Sequence, residues 1–274
     1  MKTITCNGIL ISLDIPKIMG IVNATPDSFY SQSRITEHNI LNQVEQMLHD
    51  GATFIDIGGY SSRPNAENVS QSEEIKRVIP LIEKIIRAFP SVFISVDTFR
   101  GEVARQAIKA GACIVNDISA GEADPTMWDI VTSYQVPYIA MHMRGTPQTM
   151  QQFTQYNHLV KDIIYYFSQI TQKAHARGIN DLIIDPGFGF SKTLEQNYSL
   201  MKNLDAFHIL EKPLLVGISR KSMLYKLLES SPEESLNGTS ALNTIALLKG
   251  ADILRVHDVK QAMECVKIIQ TMNL

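Results

Sequence analysis

The sequence predicts an α/β fold, a TIM (β/α)8 barrel with a short N-terminal β-hairpin, built as a single domain over residues 1–274. Three observations predict it. Strand-like and helix-like apolar periods alternate almost from end to end, as a parallel sheet wrapped by helices requires. Roughly eight short apolar runs carry polar residues at their downstream ends, where parallel-barrel enzymes hold their chemistry. The composition, 45% apolar and 19% charged, is that of an ordinary globular chain long enough to bury one full core.

The elements follow in order. Residues 3–5 and 9–12 alternate around Asn7-Gly8, the strongest short hairpin signal, and the hairpin is expected to plug the lower end of the barrel. Eight apolar runs then supply the strands. Residues 18–22 are closed by Asn23, 54–57 contain Asp56, 92–96 are closed by Asp97, and 113–115 by Asn116 and Asp117. Residues 138–141 are closed by His142, 182–184 by Asp185, 214–218 by Ser219, Arg220 and Lys221, and 251–254 by Arg255 and His257. Helical periods occupy residues 40–49, 73–89, 102–110, 125–134, 159–177, 194–204, 223–228, 241–249 and 261–271. Gly51, Gly111, Gly178 and Gly250 stand where left-handed helix ends are wanted. Three connections, residues 24–39, 58–72 and 143–158, are long enough to be candidate lids.

Several function classes lack support. With 25 basic and 28 acidic residues the net charge is −3, so no electrostatic footprint exists for nucleic acid or an anionic membrane surface. No apolar run reaches membrane-spanning length, and residues 1–10 lack the apolar core of a signal peptide. Cys6, Cys113 and Cys265 are odd in number and far apart, which suits reduced thiols in a cytoplasm. Gly187-Phe188-Gly189 resembles the start of a dinucleotide loop, but Lys192 stands where its third glycine belongs. There is no Walker loop, HExxH or G-x-S-x-G elbow, leaving nucleotide hydrolysis, zinc proteolysis and esterase chemistry without a basis.

Taken singly, a strand-end Asn23 or Asp97 has a simpler explanation as a helix cap or turn former. Arg255-Val256-His257 is sharper, since alternate strand residues share a face and both cationic-capable side chains point the same way. A surface arginine beside an interface histidine is the alternative. The last two barrel strands commonly hold phosphate, and Ser219-Arg220-Lys221-Ser222 follows the seventh, which favours an anion site closed by Arg63. Asp97, Asn116 and Asp185 are placed to accept hydrogen bonds from a donor-rich ring such as an amino-pyrimidinone. The alternative for Asp185 is a structural ion pair with Lys221, and the two roles are compatible. Pro186-Gly187-Phe188-Gly189-Phe190 turns sharply and offers phenyl faces for a planar heterocycle. His142 reads as a satisfied strand-end histidine rather than a metal ligand or base.

A set of motifs then carries a family resemblance. Residues 19–29 (MGIVNATPDSF), Ile55-Asp56-Ile57-Gly58-Gly59, Ser62-Arg63-Pro64, Ser95-Val96-Asp97-Thr98 and Asn116-Asp117-Ile118 come first. Met141-His142-Met143, residues 185–190 (DPGFGF), Ser219-Arg220-Lys221-Ser222 and Arg255-Val256-His257-Asp258-Val259 follow. Together, and in this order, they resemble the dihydropteroate synthase family over residues 17–259. The resemblance implies a transferase that joins 6-hydroxymethyl-7,8-dihydropterin pyrophosphate to 4-aminobenzoate, releasing pyrophosphate by a dissociative route, with Mg2+ and with a homodimer as the usual assembly. It implies that Asp97, Asn116, Asp185 and Lys221 hold the pterin, and Gly217 is counted among the substrate-binding residues. Asn23, with Mg2+, and Ser62, Arg63, Arg255 and His257 would hold the pyrophosphate. Thr25, Pro26, Phe29, Arg63, Pro64, Phe190, Lys221 and Ser222 would surround the aminobenzoate. Arg63, Lys221, Arg255 and His257 are its implied catalytic residues.

Four stretches depart from the family's pattern: Ser31-Gln32-Ser33 where Asp-Gly-Gly is common, Tyr60 for a common Glu, Ser62 for Thr, and Ser191 for Gly or Ala. Two other readings compete: a related pterin-binding methyltransferase domain, which needs no pyrophosphate clamp, and a non-catalytic pterin-binding paralogue. Arg63, Arg255 and His257 argue against the first, intact Lys221, Arg255 and His257 against the second. The helix face from Ala262 to Ile269 is expected to serve a dimer. As a strand-end ligand contact, Arg255 is expected to be dispensable for stability.

Overall fold

A computed structural model of the protein describes residues 2–24, 34–60 and 69–272. Two short strands come first, β1 (Thr3–Cys6) and β2 (Ile9–Ser12), paired antiparallel with Thr3 opposite Ser12 and Cys6 opposite Ile9. The two-residue loop has positive φ at both Asn7 (50°) and Gly8 (76°), the turn whose twist matches the strands. Eight parallel strands follow: β3 (Lys17–Asn23), β4 (Phe54–Gly58), β5 (Phe93–Asp97), β6 (Ile114–Asp117), β7 (Tyr138–Met141), β8 (Leu182–Asp185), β9 (Leu215–Val216) and β10 (Ile253–Val256). Their order in the sheet is β8-β7-β6-β5-β4-β3-β10-β9, and a parallel bridge from Ile184 to Leu214 joins the two edges. The barrel is therefore closed.

The helices are α1 (Arg34–His49), α2 (Gln71–Ala88), α3 (Gly101–Lys109), α4 (Thr126–Tyr134), α5 (Leu159–Ala176), α6 (Leu194–Lys202), α7 (Ser222–Tyr225), α8 (Leu236–Leu248) and α9 (Val259–Met272). Their main departure from expectation is at α1 and α8, which begin well before residues 40 and 241. The polar residues thought to follow the strands are in several cases their last members, as Asn23, Asp97, Asp117 and Asp185 show.

Strand alternation sorts the core into layers. One set of strand residues, including Ile18, Ile55, Ile94, Val115, Tyr138, Ile184 and Leu254, packs outward against the helices. The other set, Met19, Phe54, Ile114, Ile139, Ile183, Leu215 and Ile253, fills the lower barrel, where the hairpin's Ile4, Cys6 and Ile11 cover it. The expected plug is in place. Cys6, Cys113 and Cys265 are free and buried. Ala262, Cys265, Val266 and Ile269 are also buried, so the helix face expected for a dimer is used by the protein's own core. No helix among the described residues is long and apolar enough to cross a membrane.

Candidate active site

Two residues above the apolar floor, the same inward column of side chains turns polar. Phe54 is followed by Asp56, Ile114 by Asn116, Ile183 by Asp185, Leu215 by Gly217 and Ile253 by Arg255. Strand parity thus carries Asp56, Asp97, Asn116, Asp185 and Arg255 into one barrel mouth. It also separates neighbours that looked equivalent. Asp117, one residue past Asn116, faces outward and is buried, accepting from Ser119 N (2.7 Å), Gly121 N (2.7 Å) and the Tyr138 hydroxyl (2.7 Å). Its role is to order the loop after β6. His142, one past Met141, is packed among Tyr156, Tyr166 and Phe167, the satisfied histidine that was expected.

A cavity of about 740 Å3 opens at the strands' C-terminal end. It brings together Asn23, Asp97, Phe190, Gly217, Lys221, Ser222, Arg255 and His257 from the predicted set. Asn116 and Asp185 are buried in the barrel below that lining, at 3% and 6% exposure. Thr25, Pro26, Phe29, Ser62, Arg63, Pro64 and the unusual Ser31-Gln32-Ser33 stretch lie outside the described residues. Val69, Arg77, Met150 and Tyr225 also line the cavity, as does Tyr60, which stood out in the sequence only as a departure from the family's pattern; none of them had been given a place in the site. Tyr60, Val69 and Met150 sit in long or irregular connections that give no periodic signal, whereas Arg77 on α2 and Tyr225 on α7 belong to helical periods that mark an element and not a site.

The centre of the site is an ionic bridge. Arg255 donates from Nε to Asp56 Oδ2 (2.6 Å) and from Nη2 to Asp97 Oδ2 (2.6 Å), while Asn116 Nδ2 donates to the same Asp56 oxygen (3.1 Å). Burial works against the Arg255 guanidinium, but Asp56 and Asp97 outweigh it and hold its pKa above the ordinary value. Burial pushes the Asp97 carboxyl up to about 7, with Arg255 pulling the other way and Asp56 adding to the rise. Asp56 therefore has a definite place, which sequence reasoning had left open; its parity with Phe54 was the available signal. Arg255 is not simply a strand-end ligand contact, since it neutralises buried carboxylates of two other strands.

Lys221 takes an intermediate position. Its ammonium donates to the Phe188 carbonyl oxygen (2.5 Å) and stands 4.7 Å from the centre of the Phe190 ring. Burial lowers its pKa to about 8, opposed by Asp185. Asp185 Oδ1 accepts from Gly187 N (2.8 Å); burial raises its carboxyl, against the pull of Lys221. Electrostatic support replaces the direct Asp185–Lys221 pair. Both residues whose phenyl groups were proposed for stacking border the cavity, but Phe188 is wholly buried with its side chain in the core, which leaves Phe190 as the ring available to a ligand. His257 Nδ1 and Ser219 Oγ are 3.0 Å apart, and the neighbouring Arg220 makes a paired contact with Asp258 at 3.0 and 2.6 Å.

The third long connection is pinned rather than loose. Arg144 stacks on Tyr156, 3.9 Å from the ring centre, and its backbone N–H donates to Ser191 Oγ (3.0 Å). The Tyr156 hydroxyl donates to the Ser191 carbonyl (3.0 Å). Ser191, a departure from the family pattern, has φ of 45° and uses its hydroxyl to tie these two loops.

A closed parallel barrel whose mouth gathers both carboxylate and amide acceptors and cationic groups defines a binding site for a donor-rich, anion-bearing ligand. The pterin-binding enzyme family matches residues 19–257, and the chain belongs to that family. Dihydropteroate synthase of Escherichia coli strain K12 is 42% identical over 268 residues, covering 96% of this chain and 94% of the relative. The crystal structure of Yersinia pestis dihydropteroate synthase with a sulfonamide drug superposes with a TM-score of 0.92 at 40% identity, covering 99% of both chains. Xanthomonas albilineans dihydropteroate synthase with 4-aminobenzoic acid gives 0.90 at 35% identity, covering 99% and 98%. Within the pterin-binding enzymes the chain therefore falls with the dihydropteroate synthases, transferases of folate biosynthesis.

Proposed function

We propose that the chain joins 6-hydroxymethyl-7,8-dihydropterin pyrophosphate to 4-aminobenzoate, forming 7,8-dihydropteroate and pyrophosphate. The observation that carries this reading is the meeting of both charges in one barrel mouth: Asp97, Asn116 and Asp185 as acceptors, Arg255 bridging Asp56 and Asp97 among them, and Lys221 and His257 beside them in the cavity wall. The acceptors suit the pterin ring's N–H groups, since a buried carboxylate or amide oxygen needs a donor. Arg255 and His257, with Arg63 and Ser62, take the pyrophosphate. Phe190, Lys221 and Ser222 border the aminobenzoate, its carboxylate at the start of α7, with Gly217 leaving room beside Arg255. Thr25, Pro26, Phe29 and Pro64 complete that end in this reading.

The reaction is a dissociative substitution. The bond from the pterin methylene carbon to the pyrophosphate oxygen breaks, and its electron pair leaves with the pyrophosphate. The arylamine nitrogen then donates its pair to the carbocation, and its proton passes to solvent or the departing pyrophosphate. Stabilising the leaving group is the main task, worth about 3–4 kcal/mol for each well-placed donor. No general base is needed.

Asn23, exposed at the end of β3, supplies a single neutral oxygen, and no cluster of three or more His, Cys, Asp or Glu suited to a metal occurs among the described residues. That fits Mg2+, which takes most of its oxygens from phosphate and water. Bound there with the substrate, it would neutralise charge on the pyrophosphate. The protein is further proposed to be a cytoplasmic homodimer, supported by its free cysteines and by Ile245, Leu248, Ile268 and Met272, exposed on the neighbouring α8 and α9. Sulfonamides should compete with the aminobenzoate.

The decisive experiment incubates the pure protein with the pterin pyrophosphate, 4-aminobenzoate and Mg2+ and measures dihydropteroate by chromatography. Product that depends on both substrates is expected. Pterin binding without product would leave a non-catalytic pterin-binding protein in its place.

A further inference from the structure

Lys192 is 3% exposed, yet the transferase reading gives it no part. A buried ammonium is costly unless every proton finds an acceptor. Here all three do: Lys192 Nζ donates to the Gly187 carbonyl (2.8 Å) and the Phe190 carbonyl (3.0 Å), and lies 3.2 Å from His142 Nδ1. The charged and titratable groups around it are Asp185, Lys221, Arg144 and His142. Burial, with Lys192 and Arg144 beside it, holds His142 well below its ordinary pKa, so the imidazole is neutral. Burial also lowers Lys192 to about 7 against the pull of Asp185, and in its charged form the ammonium can only donate, so Nδ1 of His142 then accepts.

The three acceptors are not scattered. Two are the carbonyls at either end of the turn between β8 and α6, the segment that carries Phe188, Gly189 and Phe190. Positive φ at Gly187 (72°) and Gly189 (83°) lets successive carbonyls face opposite ways. Those of Gly187 and Phe190 point back to Lys192, whereas that of Phe188 points forward to Lys221 Nζ. The turn is thus held between two ammonium groups, one behind the cavity wall and one in it. We infer that Lys192 is a positioning residue for the transfer reaction: by clasping the turn from behind, it sets the Phe188 carbonyl that orients Lys221 and the Phe190 ring that borders the aminobenzoate. The inference rests on the transferase reading for its substrates, and on this geometry alone for the residue.

The test compares full-length wild type with Lys192→Met, which keeps the length of the side chain and removes the donors. The KM for 4-aminobenzoate should rise about tenfold while kcat falls less than about threefold, because a loosened wall misplaces the second substrate. In a Phe190→Ala background the same substitution should change that KM by less than about threefold, since one of the two groups it positions is already gone and only the part acting through Lys221 remains. A Lys192→Met protein with a lowered thermal midpoint but unchanged KM would make Lys192 merely structural and overturn the inference. If Lys192→Met does not fold, His142→Phe carries the test: loss of one acceptor should move the same KM upward by about threefold, and an unmoved KM overturns the idea. If the wild type forms no product, the transferase reading fails separately. Lys192 is then judged by calorimetry, where Lys192→Met should weaken pterin pyrophosphate binding about tenfold through Lys221, and unchanged affinity rejects it.

Discussion

Arg255 shows how far a single residue's role depends on what lies below it. Its two contacts join carboxylates from β4 and β5, and Asp56 is wholly buried. Arg255→Ala should therefore abolish turnover and also destabilise the fold by about 3–5 kcal/mol at neutral pH, because unpaired buried charge remains. The Asp97 carboxyl, already raised to about 7 against the pull of Arg255, can relieve part of that cost by taking up a proton, so the loss should be larger at pH 8 than at pH 5.5 in thermal melts. Equal losses at both would remove the bridge from the explanation. Asp97 supplies a second prediction. Its native pKa of about 7 stands above the ordinary 3.8, so between those values the folded state keeps a proton that the unfolded chain has lost. On this group's account stability falls as pH rises through that window and levels off above about 7. Pterin affinity should move the opposite way, tightening through pH 7 as the carboxylate becomes available to accept, and Asp97→Asn should flatten the titration measured by calorimetry.

At the scale of elements, the turn after β8 has little freedom. A Cβ added at Gly187 would stand 2.1 Å from the His142 carbonyl oxygen, on a backbone with φ of 72°. Gly187→Ala should cost about 1–3 kcal/mol from the conformation alone, with the clash adding to it. Urea unfolding checks this, and a loss below about 0.5 kcal/mol would mean that the turn adapts. The sharp bend at Gly187 was legible from the sequence, as were the hairpin at Asn7-Gly8 and the C-terminal glycines of the helices, because glycine marks positive φ locally. The clasp by Lys192 was not, because its partner His142 lies just past the end of β7, remote in sequence, and an isolated lysine carries no periodic signal. Likewise, the sequence showed Asn116 and Asp117 as one polar pair. Only the pairing of Asn116 with Asp97 across β5 and β6 fixes which of them faces the mouth.

For the whole molecule, the critical feature is the seam where the barrel closes. Most neighbouring strands share three or more paired positions, but β9 has two residues and meets β8 through the single bridge at Ile184 and Leu214. Asp252 reinforces that seam: its Oδ2 accepts from Leu214 N (2.7 Å) and from Lys2 Nζ (2.8 Å), linking β9, the residue before β10 and the chain's beginning. The barrel's closure and its plug are thereby coupled, which no periodic pattern announces, since residues 2, 214 and 252 are remote in sequence. Asp252→Ala strands a buried backbone donor and should cost about 1–3 kcal/mol. Hydrogen exchange should locate the loss: the amides of Ile184 and Ile253, which donate to Pro213 and Leu214 at the seam, should exchange faster, while those between β4 and β5 keep their protection. Uniform acceleration around the barrel would show instead that the seam has no separate stability. Because Gly217, Ser219 and Lys221 leave directly from β9, a loosened seam should also weaken pterin binding without any change to a residue that touches it.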